Sequence, residues 1–240
     1  MGISRSEMLS SDALDLLRRG AITVKGRLPW SSNVTLLAEV TLEEAHALAV
    51  YKPQRGERPL WDFPPGLYKR ELAAYLLSEA LGWDLVPPTV LREGPFGEGS
   101  LQLFVEADFE QHYLTLLEEP RHRVRLELIC AFDLLANNAD RKSGHCLLAA
   151  NGQVYAIDNG LTFHPEPKLR TVIWDFAGEP LPGEMLADLK RLATAGPTGA
   201  LADLLEPEER EALLLRAKAL VKSRRFPADP TGQRYPWPLI

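Results

Sequence analysis

The sequence predicts an α+β fold with two lobes, because the pattern of apolar residues changes near Ala107. Before this residue, short runs in which apolar and polar residues alternate indicate antiparallel strands, interrupted by one long helix. After it, the periodic segments are mostly helical. Strands gathered in one half and helices in the other are typical of the α+β class. We therefore expect an N-terminal lobe of residues 1–107 and a mostly helical C-terminal lobe of residues 108–240.

The N-terminal lobe is expected to begin with a helix and to continue as an antiparallel sheet. Ser11 is a suitable N-cap for a helix from Asp12 to Arg19, and Gly20 would end it. A second helix is predicted between the third and fourth strands, where apolar residues recur at helical spacing. The predicted strands cover residues 21–24, 34–40, 47–52, 86–91 and 100–106, and this second helix covers residues 68–81.

The C-terminal lobe is predicted to contain a strong amphipathic helix, a short hairpin and two later helices. The first helix carries Leu126, Ile129 and Leu134 on one face. The dipeptide Asn151-Gly152 is a strong turn signal between two short strands. The predicted helices cover residues 123–136, 186–192 and 207–222, the strands cover 146–149 and 154–157, and the tail 226–240 is expected to be irregular.

Composition and charge exclude several classes of protein. Of 240 residues, 45% are apolar and 25% are charged, as in an ordinary globular protein rather than a disordered or fibrous one. A net charge of −6 provides no overall attraction to nucleic acid or to an anionic membrane. Neither a membrane span nor a signal peptide is expected, because charged residues interrupt every long apolar stretch. With only Cys130 and Cys146 present, we expect a cytoplasmic protein with reduced thiols. From the negative net charge, we expect no nucleic-acid partner.

Four polar features follow one another along the chain in an informative order. Lys52 ends a predicted inner strand, where an ammonium group needs an anionic partner. Glu71 lies nineteen residues later, early in the predicted helix. The segment from Asn137 to His145 is a polar loop directly after the amphipathic helix, and Asp158 follows a short apolar strand in Ile157-Asp158-Asn159-Gly160.

The same four features occur in this order in protein kinases. There, a strand lysine holds the nucleotide phosphates and a helix glutamate holds the lysine. One aspartate orients the attacking hydroxyl, and the aspartate of an Asp-x-Gly turn binds the metal ion that neutralises the developing charge. Each feature alone has a simpler explanation: Lys52 could be a surface lysine, Asp140 could brace a loop, and Asp158 could be a turn residue. The order of all four favours phosphoryl transfer.

The sequence resembles the phosphatidylinositol 3/4-kinase and HipA-like branch of the kinase superfamily. More closely, it resembles a family of small bacterial proteins related to those kinases. The resemblance spans residues 20–180 and implies a compact, two-lobe kinase-like fold. It is carried by Tyr51-Lys52-Pro53, by the segment from Gly56 to Pro64, by Arg70-Glu71-Leu72-Ala73-Ala74-Tyr75, by the loop from Asn137 to His145 and by Ile157-Asp158-Asn159-Gly160.

Position by position, the resemblance implies that Lys52 contacts the ATP phosphates and that Glu71 pairs with it. Asp140 would be the catalytic aspartate, and Asp158 would be the principal ligand of Mg²⁺ or Mn²⁺. In the broader branch an asparagine five residues after the catalytic aspartate is the second metal ligand, and here that position is His145. Because imidazole suits magnesium poorly and manganese better, His145 is either a metal ligand of altered preference or a structural loop residue.

Two further segments are expected to contact the nucleotide. The loop from Gly26 to Asn33 would cover the phosphates, although it lacks the glycine-rich motif of other kinases. The segment from Gln102 to Glu106 would form the hinge beside adenine. The candidate nucleotide-binding residues are Ser31, Ser32 and Asn33 in the loop and Phe104, Val105 and Glu106 in the hinge.

We therefore expect an ATP- and metal-dependent phosphotransferase that acts on a hydroxyl of a protein or a small molecule. Two alternatives keep the same fold: a nucleotide-binding pseudokinase, which a histidine at position 145 would favour, and an enzyme that transfers AMP. Beyond Asp158, His164, Lys168 and Arg170 could meet an anionic substrate or could lie in an ordinary solvated loop. Trp61 is expected to be a packing residue, as large aromatic side chains more often are.

Overall fold

The first part of the chain forms two α-helices and a five-stranded antiparallel sheet. The computed structural model describes residues 10–29 and 33–239. The elements here are α1 (Ser10–Arg19), β1 (Ala21–Arg27), β2 (Leu36–Leu42), β3 (Ala45–Pro53), α2 (Leu67–Leu81), β4 (Thr89–Gly94) and β5 (Gly97–Leu103). The strand order is β1-β2-β3-β5-β4, so β3 is the central strand. In β2, Leu36, Ala38 and Val40 are buried and alternate with half-buried residues, as a period of two requires.

The remaining chain is mostly helical and contains a small second sheet. Its elements are β6 (Ala107–Asp108), α3 (Tyr113–Leu117), α4 (Arg123–Ala136), β7 (Cys146–Ala149), β8 (Val154–Ala156), α5 (Gly183–Ala195), α6 (Gly199–Leu204) and α7 (Pro207–Ser223). The second sheet has the order β6-β7-β8. Within the described residues, no helix is both long and apolar enough to cross a membrane.

Two hydrophobic clusters hold these elements together, and α2 belongs to the second of them. One cluster joins Leu16 and Leu17 of α1 to the inner face of the five-stranded sheet. The other joins Leu77 of α2 to the apolar faces of α4, α5 and α7. Because α2 contacts both β5 of the large sheet and the later helices, a side chain on its first turns can reach the groove between them.

The start of α2 is fixed by a carboxylate from the preceding loop. The Glu57 side chain accepts hydrogen bonds from the backbone N–H of Gly66, at 2.9 Å, and of Tyr68, at 2.8 Å. These donors have no partner inside the helix, so the contact caps its first turn. The segment before α2 is thereby fastened to the helix that carries Glu71.

The α+β class predicted from the sequence is confirmed, and α4 matches the predicted helix at both ends. Several boundaries are wrong. Ser11 lies inside α1 rather than capping it, and β5 ends at Leu103 rather than at Glu106. β1 continues to Arg27 instead of ending at residue 24, and β4 covers Thr89–Gly94 instead of residues 86–91. β6, α3 and α6 were not predicted, because such short segments carry no periodic pattern. The lobe boundary at Ala107 stays a prediction.

Candidate active site

A lysine on the central strand joins two carboxylates that are distant in sequence. The Lys52 ammonium, near the end of β3, donates hydrogen bonds to Glu71 Oε1 on α2 and, at 2.8 Å, to Asp158 Oδ1 in the loop after β8. The Glu71 side chain is 3% exposed, that of Lys52 is 22% exposed and that of Asp158 is 51% exposed. These three residues, here called the lysine cluster, therefore form a charged site that opens to solvent on the side of Asp158.

Glu71 also fixes the turn that presents Asp158. Its second carboxylate oxygen, Oε2, accepts a hydrogen bond from the backbone N–H of Asn159 at 3.1 Å. Asp158 itself has a φ of 57°, in the left-handed region that aspartate adopts more readily than most residues. A single buried glutamate thus positions both the lysine and the loop that carries the second carboxylate.

Electrostatics keep Lys52 and Asp158 of the lysine cluster charged at neutral pH. Burial lowers the pKa of Lys52, but the charges of Asp158 and Glu71 outweigh it and raise that pKa above its ordinary value. The positive charge of Lys52 lowers the pKa of Asp158 far below its ordinary value, against the opposing effect of burial. The site accordingly presents an ammonium and an ionised carboxylate side by side.

Asp140 lies in the loop after α4, close enough to Asp158 of the lysine cluster to be affected by its charge. Its backbone N–H donates to Asn138 Oδ1 at 2.9 Å, which gives the loop the local side-chain bond typical of asparagine turns. Its carboxylate lies 3.4 Å from the Lys142 ammonium, and its side chain is 30% exposed. Burial raises the pKa of Asp140, and the nearby charge of Asp158 raises it further, while Lys142 lowers it. A carboxyl of raised pKa, partly open to solvent, suits the exchange of a proton.

His145 contacts Asp158 from the other side. Its Nε2 lies 3.5 Å from Asp158 Oδ2, and its Nδ1 accepts a hydrogen bond from the Lys142 backbone N–H at 3.3 Å. Burial lowers the pKa of His145 to about 4, so the ring is neutral at pH 7. Because Nδ1 is an acceptor, we assign the proton of the neutral ring to Nε2, which then points a donor at Asp158.

A second charged network, fully buried, lies directly beneath this site. Arg141 donates to both carboxylate oxygens of Asp133 at 3.1 and 3.0 Å, to the Ile157 carbonyl oxygen at 2.6 Å and to Asn159 Oδ1 at 2.7 Å. The side chains of Arg141 and Asp133 are both 0% exposed. Asp133, Arg141 and Asn159, here called the arginine network, connect α4, the Asp140 loop and the Asp158 turn.

Sequence reasoning missed the roles of Asp133 and Arg141, although one signal was present. Asp133 falls on the apolar face of α4, seven residues after Leu126 and four after Ile129. A carboxylate there needs a buried partner. The basic residue that supplies it is next to Asp140 in sequence, where it was considered only as part of the polar loop.

Of the three residues predicted to cover the nucleotide phosphates, the structure describes only Asn33. Ser31 and Ser32 lie outside the described residues. Asn33 Oδ1 accepts a hydrogen bond from the Arg58 backbone N–H at 2.9 Å, so its side chain is tied to the loop before α2. A contact between these three residues and a nucleotide stays a prediction.

The predicted hinge residues lie beside a separate cavity. The Phe104 backbone N–H donates to the Leu48 carbonyl at 2.9 Å, and the Glu106 carbonyl accepts from the Ala150 N–H at 3.3 Å. The side chains of Phe104 and Glu106 line a cavity of about 880 Å³. Among the described residues that line it, none belongs to the lysine cluster. Val105 lies between them in the chain, and contacts of Phe104, Val105 and Glu106 with a nucleotide stay a prediction.

The residues present suit a metal ion that is shared with phosphate groups. No group of three or more histidine, cysteine, aspartate or glutamate side chains close enough to enclose a metal occurs in the described part of the chain. Asp158 instead offers one ionised, half-exposed carboxylate. Magnesium in phosphoryl-transfer sites is commonly held by one or two carboxylates together with substrate phosphates. Asp158 fits this arrangement, whereas His145 would need to move its proton to Nδ1 and lose the Lys142 contact.

Comparison with known proteins establishes the family. No protein-family model matches the sequence. Protein Rv2133c of Mycobacterium tuberculosis is 42% identical to it over an alignment of 270 positions, which covers 97% of each chain. The chain belongs to the same family as Rv2133c. Members that share this much sequence over their whole length share a fold, so the architecture described above applies to the Rv2133c family.

Solved structures with a similar fold are kinases and a Fam20 protein. Hydra Fam20, solved with sugar, has a TM-score of 0.59 at 18% identity, covering 89% of this chain and 88% of its own. The Golgi casein kinase with Mn and ADP bound has a TM-score of 0.58 at 14% identity, covering 96% and 80%. The Helicobacter pylori proinflammatory kinase CtkA has a TM-score of 0.51 at 14% identity, covering 86% and 93%. At these identities the likeness shows the fold, and the predicted kinase-like fold is confirmed.

Proposed function

We propose that this member of the Rv2133c family is an ATP- and metal-dependent phosphotransferase acting on a hydroxyl of a protein or small molecule. One observation carries the proposal. Lys52, Glu71 and Asp158 lie on three separate elements, yet they meet at one ammonium group in a kinase-like fold. A half-buried lysine placed between two carboxylates from different elements is costly to assemble for stability alone, which favours a functional role.

Each residue of the site has a distinct task in this reaction. Lys52, positioned by Glu71, binds the phosphates of ATP. Asp158 holds the metal ion, which when bound neutralises the negative charge of the phosphates. Asp140 orients the acceptor hydroxyl and accepts its proton, as its raised pKa and partial exposure allow. The acceptor oxygen forms a bond to the γ-phosphorus while the bond to the bridging oxygen breaks, and ADP leaves with that electron pair.

Finer parts of the sequence-based hypothesis belong to the same proposal. The phosphatidylinositol 3/4-kinase and HipA-like assignment is one of them. The nucleotide contacts of Ser31, Ser32, Asn33, Phe104, Val105 and Glu106 are another. The Golgi casein kinase with bound Mn and ADP supports nucleotide and metal binding by a related fold.

A nucleotide-binding pseudokinase is the second candidate, and the protonation of His145 favours it. With the proton on Nε2, His145 turns a donor rather than a metal-binding lone pair toward Asp158, which leaves Asp158 as the carboxylate assigned to the metal. Loss of the second metal ligand lowers catalytic power more than nucleotide affinity, because a phosphate-binding lysine remains. An enzyme that transfers AMP is the third candidate, and the product analysis described next distinguishes it from a phosphotransferase.

The test is product analysis with ATP and either Mg²⁺ or Mn²⁺. We expect mass spectrometry of the protein and of added acceptors to show an added phosphate and matching ADP. The Asp140→Asn variant should lose this activity about 100-fold or more, because a positioned general base contributes that much. Asp203→Asn, an exposed aspartate of α6, is the matched control and should retain full activity. Full activity of Asp140→Asn would contradict the proposed role, an added nucleotide would show AMP transfer, and ATP binding without turnover would favour the pseudokinase.

A further inference from the structure

A second cavity lies beside the Asp140 loop, and the described residues that line it include none of the lysine cluster. It has a volume of about 440 Å³, within the range of small-molecule sites. Its walls are the segment 61–64, which precedes α2, and three side chains from the segment after Asp158, namely His164, Glu166 and Lys168. We refer to it as the Trp61 cavity.

Both walls of the Trp61 cavity are attached to the loop that carries Asp140. Phe63 packs in one buried cluster with Ala139, the residue directly before Asp140. The Asn137 amide donates to the carbonyl oxygens of His164 at 2.8 Å and Glu166 at 2.7 Å, and its Oδ1 accepts from the Lys168 N–H at 3.0 Å. A molecule in this cavity would therefore contact two segments that are fixed to the loop carrying the proposed proton acceptor.

Trp61 is exposed to solvent, although the sequence predicted that it would pack in the interior. Its side chain is 93% exposed, whereas its neighbour Phe63 is 6% exposed and packs as expected. A lone exposed apolar residue is ordinary, but this one forms the rim of a cavity that also contains charged groups. The Lys168 ammonium lies 5.6 Å from the centre of the indole ring. The indole thus offers a flat apolar face beside polar partners.

The polar groups of the Trp61 cavity retain unused hydrogen-bonding capacity. The Lys168 ammonium lies 3.8 Å from Asp62 Oδ2 and 3.7 Å from Glu166 Oε2, beyond direct hydrogen-bond range. His164 Nδ1 accepts a hydrogen bond from the Glu166 N–H at 3.1 Å. The cavity thus contains both donors and acceptors, which suits hydroxyl groups because each hydroxyl both donates and accepts.

The charge of the cavity decides what kind of molecule fits. Asp62 and Glu166 contribute two negative charges, and Lys168 contributes one positive charge. Two acidic side chains and one basic side chain line the cavity, so the lining itself gives no strong attraction to a phosphorylated or acidic ligand. A neutral ring bearing hydroxyl groups can place its C–H face on Trp61 and its hydroxyls on Asp62, Glu166 and Lys168.

We propose that the Trp61 cavity binds the acceptor and that the acceptor is a neutral sugar or cyclic polyol. This inference rests on the proposed function, because one ring hydroxyl would lose its proton to Asp140 and receive the γ-phosphoryl group of ATP. Trp61 would act by stacking and Asp62 with Lys168 by hydrogen bonding.

The first test is direct binding in the absence of nucleotide. Calorimetric titrations would use glucose, N-acetylglucosamine, xylose and myo-inositol as neutral probes, with glucose 6-phosphate and a serine-containing peptide for comparison. We expect a neutral probe to bind best, and Trp61→Ala to weaken it about tenfold or more, since stacked rings contribute beyond the area they bury. Phe96→Ala is the control, because Phe96 is an exposed aromatic in the turn between β4 and β5. It should leave binding unchanged.

The second test asks whether the bound ring is phosphorylated. With ATP and Mg²⁺ or Mn²⁺, the same neutral probe should gain a phosphate, and Trp61→Ala should raise the KM for the probe while leaving the KM for ATP unchanged. Preference for glucose 6-phosphate or the peptide, no binding of any neutral probe, or equal binding by Trp61→Ala would each overturn the inference. In those cases ATP-dependent phosphorylation of the peptide would still support the proposed function. Binding of a neutral probe by a protein that never transfers phosphate would overturn both.

Discussion

The lysine cluster and the arginine network are two charged groups that meet at the Asp158–Asn159 turn, yet they differ in exposure and in bonding. In the arginine network, the side chains of Arg141 and Asp133 are both 0% exposed. The Arg141 guanidinium donates hydrogen bonds to both Asp133 carboxylate oxygens, to the Ile157 carbonyl oxygen and to the Asn159 side-chain amide oxygen. In the lysine cluster, Asp158 is 51% exposed, and it shares one ammonium with Glu71.

This difference indicates that the arginine network is a structural support, here called the brace, and that the lysine cluster is a ligand-binding site. A buried cation whose donors are all engaged cannot exchange partners without leaving charge unpaired, so Arg141 is suited to hold the Asp140 loop and the Asp158 turn together. A half-exposed carboxylate can exchange one partner for another at little cost, because water and incoming ligands can reach it. The two groups share the turn, so the brace sets the position of the site.

The largest expected effect is on the brace. Replacing Arg141 with Met should lower the free energy of unfolding by about 3–5 kcal/mol, because Asp133 would remain buried and unpaired. Arg19→Met, which removes a surface pair with Asp15 on α1, should cost about 1 kcal/mol or less. Urea denaturation of both variants measures the contrast. Equal losses in the free energy of unfolding would contradict the claim that the buried arginine network stabilises the fold more than a surface ion pair does.

A second, opposite pattern is expected in the lysine cluster. Asp158→Asn should change the free energy of unfolding by about 1 kcal/mol or less, because the side chain is half exposed and Lys52 keeps Glu71. The same variant should lose phosphate transfer about 100-fold or more, because a metal-holding carboxylate is lost. Parallel measurement of ADP formation and urea denaturation tests this. A large loss of stability with retained activity would reverse the two assignments.

A smaller effect is expected at His145, which touches the lysine cluster from the loop side. If His145 holds Asp158 through Nε2–H, His145→Asn should weaken the apparent metal affinity about tenfold or more, as residues behind metal ligands commonly do. The ratio of activity in Mn²⁺ to activity in Mg²⁺ should then stay the same as in the wild type. A shift of that ratio toward Mg²⁺ would instead identify His145 as a direct ligand, because an amide oxygen suits magnesium better than imidazole does.

The smallest effect concerns how α2, which carries Glu71, is attached to the sheet. The Tyr68 hydroxyl donates to Glu98 Oε2 at 2.8 Å, and burial, with this bond, raises the pKa of Tyr68 to about 12. Between pH 10 and 12 the unfolded chain loses the tyrosine proton while the folded chain keeps it, so stability should fall as pH rises through this window. Tyr68→Phe should show a shallower loss over the same window in thermal denaturation. Identical pH profiles would show that Tyr68 does not contribute.

The sequence predicted the lysine cluster better than the arginine network, for a physical reason. Lys52 and Asp158 each end a short apolar strand, where a charge is conspicuous. Glu71 could be paired with Lys52 only through the order of known kinase parts. Asp133 could have been found on the apolar face of α4, but its partner Arg141 sits in a loop whose path no periodicity reveals. Contacts between loops depend on tertiary packing, as Trp61 and Lys168 also illustrate.

Fold elements follow the same rule. Long periodic segments such as α4 were predicted to the residue, because a single apolar face spans several turns. β6 pairs through only two residues with β7, and such a strand is created by its partner rather than by its own pattern. The ends of β5 and α1 were misplaced by a few residues, since hydrogen-bond pairing rather than composition sets them.

The most direct test of the account is a titration of Mg²⁺ and ATP into the wild type and into Asp158→Asn, with Asp203→Asn as the control. The account predicts that the wild type and the control bind with the same affinity, and that Asp158→Asn binds at least about tenfold more weakly while melting within a few degrees of the wild type. Equal binding by all three proteins would contradict the claim that the open lysine cluster, rather than the buried arginine network, is where this protein meets its nucleotide.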